Sequence, residues 1–328
     1  MRFTPALVLA FFAALAACGG GGGNDDAGVI GQPGSGTERD IAPAAADARI
    51  STSFEAHVAI TPTPALSANK LFVFLPGTQG LPTFYRLILR RGSASGFHAI
   101  GLNYPNDQSV GSICVGREAS CFWDVRREVV TGSNESALVA VAAPDAIVTR
   151  LERALTYLNT TYPGEGWGQY LAANGTVDWS KLVVAGHSQG GGHAGVMAKL
   201  YAMQRAVYFS APADWNVIAN QPAAWMSGEP NVTPASRQFA FGNVDDTLVP
   251  YAEVRQNWAA LGIAGAPGSV DANPGGPFAS NLLTTANPGR SGAAASPTHG
   301  STVLDAATPL DAAGGPAFSA VWAHLCFQ

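Results

Sequence analysis

Residues 181–195 read KLVVAGHSQGGGHAG. An apolar run, Leu182 to Ala185, passes through Gly186-His187-Ser188-Gln189-Gly190 into small residues that continue as VMAKLYAM. The first half has the length and branching of a buried strand, and the second predicts a helix from near Gly190. A strand that turns at once into a helix holds its central residue in a strained conformation, with the side chain projecting from the sheet edge. Glycine on both flanks avoids a Cβ collision with neighbouring backbone. The helix N-terminus behind Ser188 offers backbone N–H groups and the positive end of a dipole. The ordinary alternative is a glycine-rich helix start with a capping serine.

Outward from this junction, strand and helix signals alternate. FEAHVAI (54–60) reads as an edge strand, and KLFVFLPG (70–77) as a buried strand ending at Pro76-Gly77. LPTFYRLILRRGSASG predicts a helix closed by glycine, and FHAIGLNYP a further strand. A loop carrying Cys114 and Cys121 follows. PDAIVTRLERALTYLNTTYP spaces Ile147, Leu151, Leu155 and Leu158 as one helix face, with Asp145 as the expected cap and Pro163 as the stop. After the opening stretch, RAVYFSAP and RQFAFGN predict strands separated by a tryptophan-bearing loop, and YAEVRQNWAALG a helix. Such alternation predicts an α/β fold, a mostly parallel sheet with helices on both faces and a cap or loop insertion.

With 328 residues, 47% apolar and 12% charged, the chain suits a secreted globular protein. The formal charge of −5 gives no reason to expect nucleic acid. No zinc-type cysteine spacing is present. Neither metal nor cofactor is expected, and the chain is expected to be a monomer. The N-terminus is a targeting segment: one arginine, then an uncharged apolar stretch from Ala6 to Ala17 too short for an ordinary span. Its end, Leu15-Ala16-Ala17-Cys18, resembles the bacterial lipobox. That resemblance implies a signal peptide over 1–17, lipidation of Cys18, and a lipoprotein anchored in the outer membrane, since Gly19 rather than aspartate follows. The glycine-rich 18–49 reads as a flexible tether, with the folded domain at 50–328. Export permits disulfides, and Cys114/Cys121 is the natural bridge, with Cys326 left as a buried thiol. Other pairings stay open.

A serine hydroxyl becomes nucleophilic only when a base takes its proton and a third group holds that base. Gly186-His187-Ser188-Gln189-Gly190 matches G-x-S-x-G between a predicted strand and helix, and in that context resembles the nucleophile elbow of the α/β-hydrolase superfamily, its lipases and esterases in particular. The resemblance covers about residues 54–304 and implies the order Ser, acid, His. Only His299 and His324 follow the candidate acids. His324 lies in apolar AVWAHLCF, whereas His299 lies in the small polar loop ASPTHGST and is the expected base. FAFGNVDDTLVP resembles the family's acid loop, D-x-x-V-P, which selects Asp246, with Asp245 the fallback and Asp214 a third choice.

The same resemblance implies an oxyanion hole from the backbone N–H of Gln189 and of Thr78, with Gln79 as the alternative. His187 is expected to line the elbow and His193 to pack on its helix. Trp123, Trp215 and Trp225 could line an acyl pocket or pack the cap. The expected activity is cleavage of small or polymeric carboxylic esters through an acyl-enzyme. A peptidase, amidase or acyltransferase on the same triad, or a non-catalytic binding module, are the alternatives.

Overall fold

The computed structural model describes residues 36–291 and 296–328. The expected signal peptide and the lipidation site Cys18 lie outside the described residues. In chain order the first elements are strand β1 (Thr37–Ile41), helix α1 (Pro43–Ala46), β2 (His57–Thr61), β3 (Leu71–Leu75), α2 (Arg86–Ala94) and β4 (His98–Gly101). Helices α3 (Val110–Cys114), α4 (Cys121–Thr131) and α5 (Ile147–Thr161) follow, then β5 (Leu182–His187), α6 (Gln189–Leu200) and β6 (Arg205–Phe209). A short hairpin, β7 (Trp215–Asn216) and β8 (Gln221–Pro222), and α7 (Trp225–Gly228) lead to β9 (Gln238–Asn243) and α8 (Tyr251–Ala260). The chain closes with β10 (Gly268–Ser269), β11 (Leu282–Thr285), α9 (Pro297–Gly300) and α10 (Ser319–Cys326).

Among the described residues nine strands form one sheet in the order β1-β2-β4-β3-β5-β6-β9-β11-β10. The β1–β2 and β2–β4 pairings are antiparallel, and the rest are parallel. The central strands are mostly apolar, and β3 wholly so, because both faces are covered. All five residues of β3 are buried. Leu71, Val73 and Leu75 join the cluster that holds Leu151 and Leu155 of α5 and Val196 and Met197 of α6. Phe72 and Phe74 join the opposite one, with Ile88 and Leu89 of α2 and Val321 and Trp322 of α10. Burying each such side chain contributes roughly 1.5–3 kcal/mol.

The topology also locates a crevice. From β3 the chain crosses through α2 to β4, toward the β1 edge, while from β5 it crosses through α6 to β6, away from it. The neighbouring strands β3 and β5 therefore flank a reversal of strand order. Ligands of open α/β sheets bind beyond the carboxyl ends of the strands at such a point. The loops leaving β3 and β5 there carry Thr78 and Ser188.

Four expectations are corrected. The ordered fold begins before Ile50: β1, assigned to the tether, pairs with β2 from Thr37↔Thr61 to Ile41↔His57. Its sequence TERDI is too polar to read as a strand, but it is an edge strand held by ion pairs of Glu38 and Asp40 with Arg86 and of Arg39 with Glu165. In consequence β2 is not the edge. Residues 121–131, read as loop, form α4, whose apolar positions Phe122, Val125, Val129 and Val130 are buried. Asp145 does not cap α5. It pairs with Arg150 and accepts from Ser51 and Thr52, while Ala146 stands at the cap. The interval between Asp246 and His299 contains β10 and β11, which extend the sheet. Cys114 and Cys121 form the disulfide, with Cα atoms 5.6 Å apart, and Cys326 is a buried free thiol.

Candidate active site

Ser188 joins β5 to α6 with φ +52° and ψ −118°, a strained backbone for a residue with a side chain. The flanking glycines are obligatory. A Cβ on Gly186 would lie 2.2 Å from the Gly190 carbonyl carbon, and one on Gly190 would lie 2.1 Å from the Leu75 carbonyl oxygen. The abrupt turn thus needs both, and it leaves Ser188 only partly covered between buried neighbours. Its side chain makes no capping bond to α6, so the hydroxyl is not used for helix capping.

His299, on α9, and Asp246, after β9, come together: His299 Nδ1 lies 2.7 Å from Asp246 Oδ2. The other carboxylate oxygen accepts from the backbone N–H of Leu248 at 2.9 Å and Val249 at 3.0 Å. Burial opposes ionisation of Asp246, but these bonds, led by that from His299, outweigh it and hold the carboxyl below its ordinary range. An ionised Asp246 makes Nδ1 the donor and leaves the lone pair on Nε2. That Nε2 is buried and has no hydrogen-bond partner among the described residues, Ser188 Oγ included. Asp245 is exposed and does not reach His299. Asp214 is bound elsewhere, to Arg126 and to Trp225 Nε1.

The elbow and the histidine loop meet through a residue whose part the sequence did not reveal. His187 Nε2 lies 3.1 Å from the carbonyl oxygen of His299, which only accepts, so Nε2 carries the proton. His187 Nδ1 therefore accepts from the Tyr85 hydroxyl at 3.0 Å, and that oxygen accepts from the Gly77 N–H at 3.2 Å. Burial, with the His299 imidazole beside it, lowers the His187 pKa to about 3, so the ring stays neutral. Ser210 Oγ donates to the same His299 carbonyl at 2.8 Å. The signal for Tyr85 and His187 was faint: a tyrosine in an amphipathic helix start and the variable residue of a pentapeptide.

The loop after β3 closes the site's other side. A Cβ at Gly77 would lie 3.3 Å from Ser188 Cβ, so this turn sits directly over the elbow. The N–H of Gln79 is spent on the Asn106 carbonyl at 2.8 Å, whereas those of Thr78 and Gln189 have no partner among the described residues. Of the two alternatives in this loop, Thr78 is the one with a free donor.

The tryptophans pack. Trp123 lies on α4 and stacks on Trp225 with ring centroids 6.4 Å apart, and Trp225 abuts α6 at Gly195. Trp215 is buried in β7. His193 is buried edge-on to Tyr104, at 5.4 Å between centroids. A cavity of about 500 Å³ near Gly262, Ser280 and Asn281 touches none of the residues named above. Among the described residues no cluster of three or more His, Cys, Asp or Glu is arranged to hold a metal. Compared with known proteins, the chain matches no family model and no curated sequence.

Proposed function

We propose that the chain is a serine hydrolase of the α/β-hydrolase type that cleaves carboxylic esters through an acyl-enzyme. The observation that carries this reading is the buried His299 Nε2, unpartnered, with its ring held by Asp246 and its backbone tied to the elbow of Ser188. A buried polar atom without a partner is costly, and on a ring held by a carboxylate and tied to the elbow, unlike the unpartnered ring of His193, it has a use. Here the use is to take a proton. Ser188 Oγ attacks the ester carbonyl carbon as its proton passes to His299 Nε2, and Asp246 stabilises the imidazolium. The tetrahedral oxyanion accepts from the N–H groups of Gln189 and Thr78. Its collapse expels the alcohol, which takes the proton from Nε2, and water repeats the sequence to release the acid.

The strained turn at Ser188, the Ser–Asp–His order and the donor after β3 support the hydrolase type over a non-catalytic module. The buried Cys114–Cys121 disulfide supports an exported location, where anchoring through Cys18 remains our reading of the N-terminus. A fluorophosphonate tests the chemistry: Ser188 Oγ should displace fluoride from phosphorus in the wild type and not in Ser188→Ala. Unlabelled wild-type protein overturns the reading. A panel of p-nitrophenyl esters from acetate to palmitate then separates esterase from lipase behaviour.

A further inference from the structure

The disulfide-linked pair α3–α4 has no part in the chemistry above, yet both of its helices hold the same residue. The backbone N–H of Val110, which opens α3, donates to Gln189 Oε1 at 2.9 Å. From α4, Arg126 Nη1 donates to the Gln189 carbonyl at 3.0 Å, while the rest of its guanidinium is locked on Asp214. Gln189 Oε1 accepts a second bond, from Thr78 Oγ1 at 3.0 Å. The fit of Arg126 is tight: a Cβ on Gly192 would lie 2.3 Å from its guanidinium carbon. The segment between the two grips is closed by Cys114–Cys121, with both cysteines buried.

We infer that Gln189 is a positioning residue through its side chain: the disulfide-closed α3–α4 pair clamps it, and it in turn fixes Thr78, setting the spacing of the two oxyanion donors. This deepens the hydrolase reading and rests on it. The two donors belong to separate loops, after β3 and after β5. Among their side chains, the Thr78 Oγ1 to Gln189 Oε1 bond is the direct link between these two residues. The donors themselves are backbone N–H groups, so side-chain changes at 78 and 189 keep both donors and alter only where they sit. Oxyanion donors act through pre-set geometry, and small misplacements at a reacting centre lower turnover without weakening ground-state binding.

The test compares kcat and KM on p-nitrophenyl acetate, the rate of fluorophosphonate labelling and the melting temperature. Thr78→Val should lower kcat and the labelling rate about tenfold with KM within about twofold, and Thr78→Ser, which keeps the hydroxyl, should restore both. Gln189→Met, which removes that bond and the one from Val110, should lose at least as much as Thr78→Val, and the double variant should lose no more than Gln189→Met alone, because the Thr78 bond is already gone. Cys114→Ala/Cys121→Ala should show the same kcat loss, with no further loss on adding Gln189→Met. Losses that multiply, a Thr78→Ser as poor as Thr78→Val, or a cysteine variant altered only in melting temperature overturn the inference. An active wild type with indifferent variants overturns this inference alone. A wild type inert to both probes overturns the hydrolase reading and this inference with it.

Discussion

Two buried carboxylates follow parallel strands of the same sheet, Asp214 after β6 and Asp246 after β9. Asp214 is gripped through Nε and Nη2 of Arg126 and by Trp225 Nε1 at 2.9 Å, and Arg126 spends Nη1 on Gln189. That network closes on itself. Asp246 is as well supplied, by two backbone N–H groups and His299 Nδ1, but its network ends on an imidazole nitrogen with nothing bound to it. Burial and charge are alike at the two sites. What differs is where the network ends: buried unpartnered atoms occur elsewhere too, on His57 and His193 for example, so it is the carboxylate-held imidazole tied to the turn at Ser188 that sets this site apart.

The largest expected effect breaks the Asp246 side at its end. Ser188→Ala and His299→Ala should each lower ester turnover by about a millionfold, and the double variant should be scarcely worse, since they act as a unit. Ser188→Ala should keep its melting temperature, because its partly covered hydroxyl makes no capping bond, whereas His299→Ala should melt lower, because it leaves the buried Asp246 carboxylate without its ring partner. A His299 variant with near wild-type turnover would remove the base from this assignment.

Exchanging the carboxylates sharpens the contrast. Asp246→Asn should lower kcat by about 10⁴-fold through the wrong imidazole tautomer, while Asp245→Asn, exposed and unconnected, stays near wild type. Asp214→Ala should instead cost about 3–5 kcal/mol of stability in urea titration, because it strands the Arg126 charge in the interior. The pH dependence of folding separates them again. Asp246 titrates lower in the folded protein than in the unfolded chain, so its stabilisation is full above about pH 4 and is lost as pH falls through the depressed folded pKa. In Asp246→Asn that acid-side loss should shrink. Equal acid curves would mean that the carboxylate gains nothing from its partners.

Much of this was legible in the sequence for a physical reason. β3 and β5 are buried on both faces and so read as unbroken apolar runs, and the elbow needs glycine at 186 and 190 because backbone fills the Cβ positions. Asp246 and His299 stand where the Ser–Asp–His order and the acid-loop pattern put them, within hydrogen-bond reach of each other. What escaped were elements whose residues carry no local signature. β1 is held by ion pairs to α2 and to Glu165, and TERDI looks like linker until the partner is known. α4 begins at a cysteine and buries an arginine and a glutamate, Arg126 and Glu128, so its face does not read as apolar. Asp145 resembles a cap by position, yet a buried Arg150 claims it. Long-range polar partners override local preference in each case, and one-dimensional periodicity does not encode them.

The smallest expected effect probes the tie between the elbow and the histidine loop. Tyr85→Phe keeps the ring and its contact with Phe74, at 4.7 Å between centroids, and removes only the hydroxyl. That hydroxyl is the middle of a directional chain from Gly77 N–H to His187 Nδ1, and His187 Nε2–H completes it on the His299 carbonyl. Removing it strands one donor and one acceptor in the interior, at a cost of about 1–3 kcal/mol in unfolding free energy. Ser210 still donates to the His299 carbonyl, so the base should shift rather than detach. We expect kcat to fall about three- to tenfold, an order of magnitude at most, with KM unchanged, since the altered quantity is the placement of groups that act in the transition state. A loss confined to melting temperature would make Tyr85 a packing residue, and the two sides of the site would then be held in register by Ser210 and the sheet alone.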